Sequence, residues 1–469
     1  MLLQYILRKR LSKGSTMRLI NTSTYQLQEF IGATKPSYTT LSHTWGDEEV
    51  SFLEWRAYSV SLLPDLGDPL QTRPGPGWVE RIRKKAGFKK ITEFCKKSLQ
   101  SGHNWAWVDT CCIDKSSSEE LSEAINSMFT WYQRSECCYC YLSDVNDSSY
   151  SWVEEGFQDY LSDLSVSAGD IGDSFFERYN LCGFTKSRWF KRGWTLQELL
   201  APCDIYFYDR DWQLIGRRSR LARVIETISK IPADALSAKN PLYIRFGQDT
   251  VLSGYSIAQK MSWASMRSTT RAEDMAYCLF GLFDVNMPLL YGEGQIKAFR
   301  RLQEEIIKRS TDHSLFAWSI PTDRGIGKLS DTIGSILADS PAVFEGAAHI
   351  VRSDYSDYGI QRFMGIKKSY TVTNHGLLIE LPLIPCPLCT ERGKISPEER
   401  CYLALLNCSL KKASLARLGI CLRPKQKGQF ERAHCHYLSI DKSMDAGLHY
   451  ADQGEIYIRT DVQMSFLFD

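Results

Sequence analysis

Between Tyr38 and Asp209, short apolar and aromatic runs alternate with longer stretches whose apolar positions recur every three or four residues. YTTLSHTW (38–45), closed by Gly46-Asp47, reads as a strand running into a loop. Residues 80–101 place Ile82, Ala86, Ile91, Phe94 and Leu99 on the buried side of a basic helix. NWAWVDTCCI (104–113) predicts a short apolar strand ending at Asp109. Ser116 to Ser118 followed by Glu119-Glu120 has the spacing of a capping box, and Leu121, Ala124, Ile125, Met128, Trp131 and Tyr132 continue at helical period. CCYCYLSDV (137–145) is a second buried strand, 187–200 a helix ended by Pro202, and CDIYFYD (203–209) another strand. Strands and helices in this order predict an α/β unit with a mostly parallel sheet.

The rest of the chain has a different grammar. From Leu62 to Gly77 it holds Pro64, Pro69, Pro74 and Pro76 with Gly67, Gly75 and Gly77, which marks a surface loop or insertion. Residues 146–184 are rich in Ser, Asp and Gly and read mostly as loop. Residues 217–312 read mainly as helix, notably 271–283 and 294–310. Beyond about residue 319, strand-length runs at 369–384, 401–410 and 418–424 predict a β-rich domain, a sandwich or small barrel. No repeat of 20–50 residues is present.

Charge and composition narrow the function. Lys+Arg 57 against Asp+Glu 55 gives a formal charge of +2, too balanced for a dedicated nucleic-acid or membrane-surface binder. No run approaches the ~18–20 apolar residues of a membrane-spanning helix. The 15 cysteines, several inside apolar runs, read as reduced thiols in a cytoplasmic protein. The basic start MLLQYILRKRLSKGSTMRLI fits an amphipathic presequence, a weak membrane anchor, or an extension ahead of an alternative start at Met17.

Standard catalytic signatures are missing: the phosphate loop, the H-E-x-x-H metal helix, G-x-G-x-x-G and G-x-S-x-G. Cys386-Pro-Leu-Cys389 with His434, Cys435 and His436 is a weak zinc pattern, and no metal site is expected. Cys111 and Cys112 sit beside Asp109 and Asp114, which raise a thiol's pKa and argue against a nucleophilic cysteine.

Four blocks stand out: YTTLSHTWGDEE (38–49), WVDTCCIDKSSSEELSEAINSMFTWYQRSECCYCYLSDV (107–145), SRWFKRGWTLQELLAP (187–202) and TTRAEDMAYCLFGLFDVNMPLLYGEG (269–294). In order and wording they resemble the heterokaryon-incompatibility (HET) domain of filamentous fungi and the helical segment that follows it in many members. The resemblance implies a basic extension at 1–16, a HET domain at 17–215 with a Pro-rich insertion near 57–78, an associated helical segment at 216–318, and the β-rich domain at 319–469. It also implies a role in non-self recognition, as a cell-death effector of an innate-immune kind. Its partners would be other incompatibility or sensor proteins, with self-association as a trigger. The HET domain in turn resembles TIR domains, which are flavodoxin-like and of which several cleave NAD. That more remote likeness makes NAD a substrate, with no resident cofactor required. It carries the catalytic glutamate onto Glu198, because Ser187-Arg188-Trp189 and Trp194-Thr-Leu-Gln-Glu198-Leu199 resemble the TIR pattern with a longer spacing.

Chemistry gives Glu198 a separate case. Cleaving the N-glycosidic bond of NAD passes through an oxocarbenium-like state that a carboxylate stabilises while binding ribose hydroxyls. A helix over 187–200 would set Trp194 and Glu198 four residues apart on one face, and Arg192 is a planar fork matched to a pyrophosphate. Ligands of α/β sheets bind at strand ends, which brings in Ser42, His43, Trp45 and Asp109. The structural alternatives are specific. Glu198 could pair with Arg188 or Arg192, Asp109 could cap a helix or sit in an ion pair, and His43 could be a hydrogen-bonded core histidine. The whole protein could equally be a non-enzymatic signalling module acting through protein contacts, or a paralogue without death activity.

Overall fold

Seven strands and the helices between them carry the first part of the chain in the computed structural model. It describes residues 16–32, 35–63, 75–146, 181–237, 248–320, 332–353, 369–385, 401–411, 413–426, 428–433, 439–441, 452–460 and 465–466. The basic N-terminal segment, most of the Pro-rich stretch (64–74), most of the loop after 146, and the Cys386, Cys389, His434, Cys435 and His436 cluster lie outside these residues. Two compact units divide between Thr250 and Val251.

In the first unit the strands are β1 (Thr16–Asn21), β2 (Leu27–Ile31), β3 (Thr39–His43), β4 (Trp105–Trp107), β5 (Cys138–Tyr141), β6 (Ile205–Tyr208) and β7 (Leu214–Arg217). They lie in the order β2-β1-β4-β3-β5-β6-β7. β4, β3, β5 and β6 are mutually parallel, while β1, β2 and β7 add antiparallel edges. The expected α/β unit is therefore present, but the sheet expected to be mostly parallel is parallel only at its centre, in three of its six strand pairings. From β3 the chain goes to one side to make β4, then crosses to the other side to make β5. Connection direction thus reverses between β3 and β5, where open α/β sheets leave a crevice at their carboxyl ends.

The principal helices are α1 (Phe52–Ser61), α2 (Pro76–Lys84), α3 (Ala86–Gln100), α4 (Asp109–Cys112), α5 (Ser118–Gln133), α6 (Cys182–Lys186) and α7 (Thr195–Leu200). The helix expected over 80–101 is broken at Lys85, whose ψ of 139° is extended. Tertiary contacts hold the break: the Gly87 amide donates to the Glu48 carbonyl at 3.0 Å and the Lys85 ammonium to the Glu49 carbonyl at 3.1 Å. The strand expected to end at Asp109 stops at Trp107, and Asp109 opens the short helix α4. Residues 187–200 are likewise two pieces. A 3-10 turn (Arg188–Lys191) and α7 are separated by extended Arg192 and by Gly193. Ser117 caps α5 by accepting the Glu120 amide.

All five residues of β3 are buried, as a central parallel strand requires. Their side chains alternate between two helix layers. Thr39 bonds Ser98 of α3 at 2.9 Å, and Thr40 bonds Ser135 just after α5 at 3.2 Å. Trp107 fills the core on the α5 side, edge-on to Trp131 and Tyr132.

The second unit begins with short helices (Ile257–Ser262, Asp274–Tyr277, Phe280–Phe283) and a longer one, Gln295–Ile307. The continuous helix expected over 271–283 is two single turns, interrupted at Leu279 (φ −102°, ψ −5°). A ten-stranded sheet follows, the β-rich region expected after residue 319. Within it β8 (Gly376–Pro385), β9 (Tyr402–Leu410), β10 (Ala413–Gln426), β11 (Gln429–Ala433) and β12 (Asp452–Ile458) close a ring. Each pairs with the next, the last pairs back with the first, and β11 lies parallel to β12. Gly376 has φ +117°, and any side chain there would strike the Ile458 carbonyl of the neighbouring strand, so glycine is required. No helix among the described residues is long and apolar enough to cross a membrane.

Candidate functional site

Because side chains of a strand alternate, the last two residues of β3 point to opposite layers. Ser42 faces α7. Its hydroxyl donates to a carboxylate oxygen of Glu198 and accepts the indole N–H of Trp189 at 2.8 Å. Trp189 and Ser42 are fully buried, and Glu198 is 7% exposed. The indole is positioned by the 3-10 turn, whose first residues are tied to the end of β5: Ser187 Oγ donates to Asp144 at 2.8 Å, and the Arg188 amide to the same carboxylate at 2.8 Å.

His43 faces α3 and belongs to a different network. Lys90 Nζ donates to His43 Nδ1 at 2.8 Å, so the imidazole proton sits on Nε2 and points to Asp109 Oδ1 at 3.1 Å. Lys90 also donates to Glu49 at 2.6 Å, and Glu49 accepts the Gly46 amide at 2.8 Å. The other oxygen of Asp109 takes the Trp45 indole N–H at 2.9 Å and lies 3.8 Å from Lys115. A chain of polar contacts thus runs Glu49–Lys90–His43–Asp109–Trp45 and fixes both ends of the loop 44–49.

Electrostatics fit this arrangement. Burial and the Lys90 ammonium push the His43 imidazole down, outweighing the Asp109 bond, so the ring is neutral. Burial lowers Lys90, opposed by Glu49. Burial alone would raise Asp109 and Glu49. Lys115, His43 and Trp45 hold the first well below the usual carboxylate range, and His43, Lys90 and the Gly46 amide hold the second below it. Burial, with Cys112 beside it, raises Cys111 well above an ordinary thiol, and ten of the twelve described cysteines are buried. Such thiols are poor nucleophiles.

A cleft of about 250 Å³ opens at the reversal point, lined by Thr44, Gly46, Glu49, Gly87, Lys90, Tyr141 and Ser143 among others. It sits at the carboxyl ends of β3 and β5, on the α3 side. Gly87 forms part of its wall because a Cβ there would lie 2.7 Å from the Glu48 carbonyl. Among the described residues no group of three His, Cys, Asp or Glu could hold a metal ion.

The residues expected to form one site therefore fall into two sets. Ser42 and Glu198 share one layer, while His43, Trp45 and Asp109 share the other. Arg192 approaches the second set, its guanidinium carbon 5.6 Å from the centre of the Trp45 ring. Trp194 is half-buried at the start of α7. Asp109 is both the first residue of α4 and an ion-pair partner of Lys115. Sequence reasoning missed Lys90, Glu49 and Lys115. A signal for Lys90 existed: it falls on the stripe Ala86, Lys90, Phe94 at four-residue spacing, where a cation interrupts an apolar face.

Residues 38–198 match the family model "Heterokaryon incompatibility protein (HET)", and residues 297–457 match a domain of unknown function, DUF8212. The chain is 40% identical over 275 residues to "Vegetative incompatibility protein HET-E-1" of Podospora anserina. That alignment covers 58% of this chain and 16% of the relative, so the chain spans only a small part of that protein's length. No solved structure matches.

Proposed function

We propose that this protein, whose residues 38–198 match the heterokaryon-incompatibility family model, is an incompatibility effector that kills by cleaving NAD at its nicotinamide glycosidic bond. The carboxylate of Glu198, brought to the carboxyl end of β3 by Ser42, is the observation that carries the reading. The order β4-β3-β5-β6 supports a flavodoxin- or TIR-like core, since numbering these parallel strands along the chain gives 2-1-3-4.

In the proposed reaction the C1′–N bond breaks heterolytically, and neutral nicotinamide leaves with the electron pair. Glu198 stabilises the ribosyl cation and takes hydrogen bonds from the ribose hydroxyls beside that of Ser42. Water then adds to C1′ and releases a proton. Trp189, through Ser42, holds the carboxylate in register. The protein acts in the cytoplasm, with other incompatibility or sensor proteins or by self-association.

A second reading is favoured by the 7% exposure of Glu198, which has a hydroxyl partner already. In it, the carboxylate secures α7 to β3 and the domain signals through protein contacts alone. Expressing the wild type and Glu198→Ala while following NAD and viability together separates them. Killing with intact NAD would defeat the enzymatic reading; killing that survives the substitution would move the chemistry away from Glu198.

A further inference from the structure

Three residues from separate stretches meet beyond the carboxyl ends of β3 and β4: Trp45 in the loop after β3, Lys115 after α4, and Arg192 just before α7. Lys115 Nζ lies 3.7 Å from the centre of the Trp45 ring and the Arg192 guanidinium carbon 5.6 Å from it. The indole is 44% exposed, yet fixed by its N–H bond to Asp109. Asp109 divides its oxygens among His43, Trp45 and, at 3.8 Å, Lys115, so it neutralises the lysine only in part.

We propose that Lys115 and Arg192 grip the diphosphate of a nucleotide over Trp45, forming a phosphate subsite at the rim of the sheet. The chemistry is specific to that group. A planar guanidinium matches two phosphate oxygens, and an ammonium supplies a compact charge to a neighbouring phosphate. Contact with the indole restrains both long side chains before the ligand arrives and lowers the entropy cost of binding. Two cations around one ring favour a diphosphate over a monophosphate. Asp109, held by His43 and hence by Lys90, is a positioning residue that keeps the ring in place. The ligand being a dinucleotide rests on the NAD reading; the diphosphate grip does not.

Calorimetric titration of the full-length protein with ADP, AMP and adenosine tests this. ADP binds most tightly, AMP more weakly and adenosine not measurably. Lys115→Met and Arg192→Met each weaken ADP about tenfold or more, while Arg192→Lys, which keeps the charge but loses the fork, gives an intermediate loss. ADP affinity also falls as salt is raised. Equal binding of adenosine and ADP, wild-type ADP affinity in both Met variants, or no ADP binding by a protein with a cooperative thermal transition would each overturn the subsite. If Lys115→Met fails to fold because Asp109 loses a partner, Arg192→Met decides the matter. NAD turnover is scored separately. A diphosphate-dependent binder that leaves NAD intact keeps the subsite and loses the glycohydrolase. NAD cleavage with unaltered ADP binding in both variants does the reverse.

Discussion

Ser42 and His43 are neighbours in β3, but Ser42 bonds Glu198 on the α7 side while His43 bonds Lys90 on the α3 side. One strand end thereby anchors two independent polar networks. A substitution in one is expected to leave the other standing, which makes their contributions separable by experiment.

On the α7 side, Ser42→Ala removes the donor to Glu198 and the acceptor for the Trp189 indole. Leaving buried polar groups unpaired is expected to cost about 1–3 kcal/mol in denaturant titrations. Glu198→Gln keeps an oxygen for the Ser42 hydroxyl, so its stability should stay within about 1 kcal/mol of wild type. NAD loss, by contrast, is expected to vanish. A Gln variant that unfolds as easily as Ser42→Ala would point to a purely structural carboxylate.

On the α3 side, Lys90→Met strips donors from His43 Nδ1 and Glu49 together. Breaking a buried pair from one side is expected to destabilise by about 3 kcal/mol. With the ammonium gone, one of the two influences that depress His43 is lost. The His43 ring protons should then titrate at higher pH than in the wild type by NMR, and an unchanged titration would contradict the assigned contact.

The pH dependence of stability follows from the same network. His43 is depressed in the folded protein, whereas the unfolded ring titrates near its usual value of about 6.5. Below that value the unfolded chain takes up a proton that the native state does not, so stability falls as pH drops towards the folded pKa. Asp109 and Glu49, also depressed, add their losses at still lower pH, below the ordinary carboxylate range. Melting temperatures measured from pH 8 to pH 2 should decline in that sequence. His43→Gln should flatten the upper part of the decline and leave the lower part.

Gly87→Ala places a methyl 2.7 Å from the Glu48 carbonyl and 3.0 Å from the Glu49 Cα and Val50 amide. All three are backbone atoms, so relief requires moving the loop from α3. A loss of about 1–3 kcal/mol is expected, with faster hydrogen exchange at Gly46 and Val50. Unchanged exchange would mean that the loop is not held against Gly87.

Much of this architecture was legible because periodicity is local. The apolar runs around Leu41, Trp107, Tyr139 and Phe207 identified the four parallel strands, and the spacing from Leu121 to Tyr132 identified α5. The break at Lys85 was not legible, because the partners that hold it, the Glu48 and Glu49 carbonyls, lie far back in the chain. Gly193 hinted at the interruption before α7, but the pattern of Trp189, Trp194 and Leu196 obscured it. Sequence placed Ser42, His43 and Asp109 at the strand ends, where the structure has them. It could not divide them between layers, because that depends on which helix covers which face. Lys90 shows the same limit: its stripe position signalled burial, but not the histidine and glutamate that make burial tolerable.

The ring of strands in the second unit imposes an order on synthesis. β8 pairs with β12 from Leu377↔Ile458 to Leu383↔Asp452, so the strand that closes the ring is made long after the strand it joins. Until residues 452–458 emerge from the ribosome, β8 and β11 each present an unsatisfied edge in the nascent chain. Such edges recruit foreign strands, and late non-local pairing is slow. A transcript that stops short of these residues would yield a chain whose last domain remains open to aggregation. For a protein proposed to kill, premature termination then removes more than a few terminal residues. It leaves an effector region joined to a partner that cannot close.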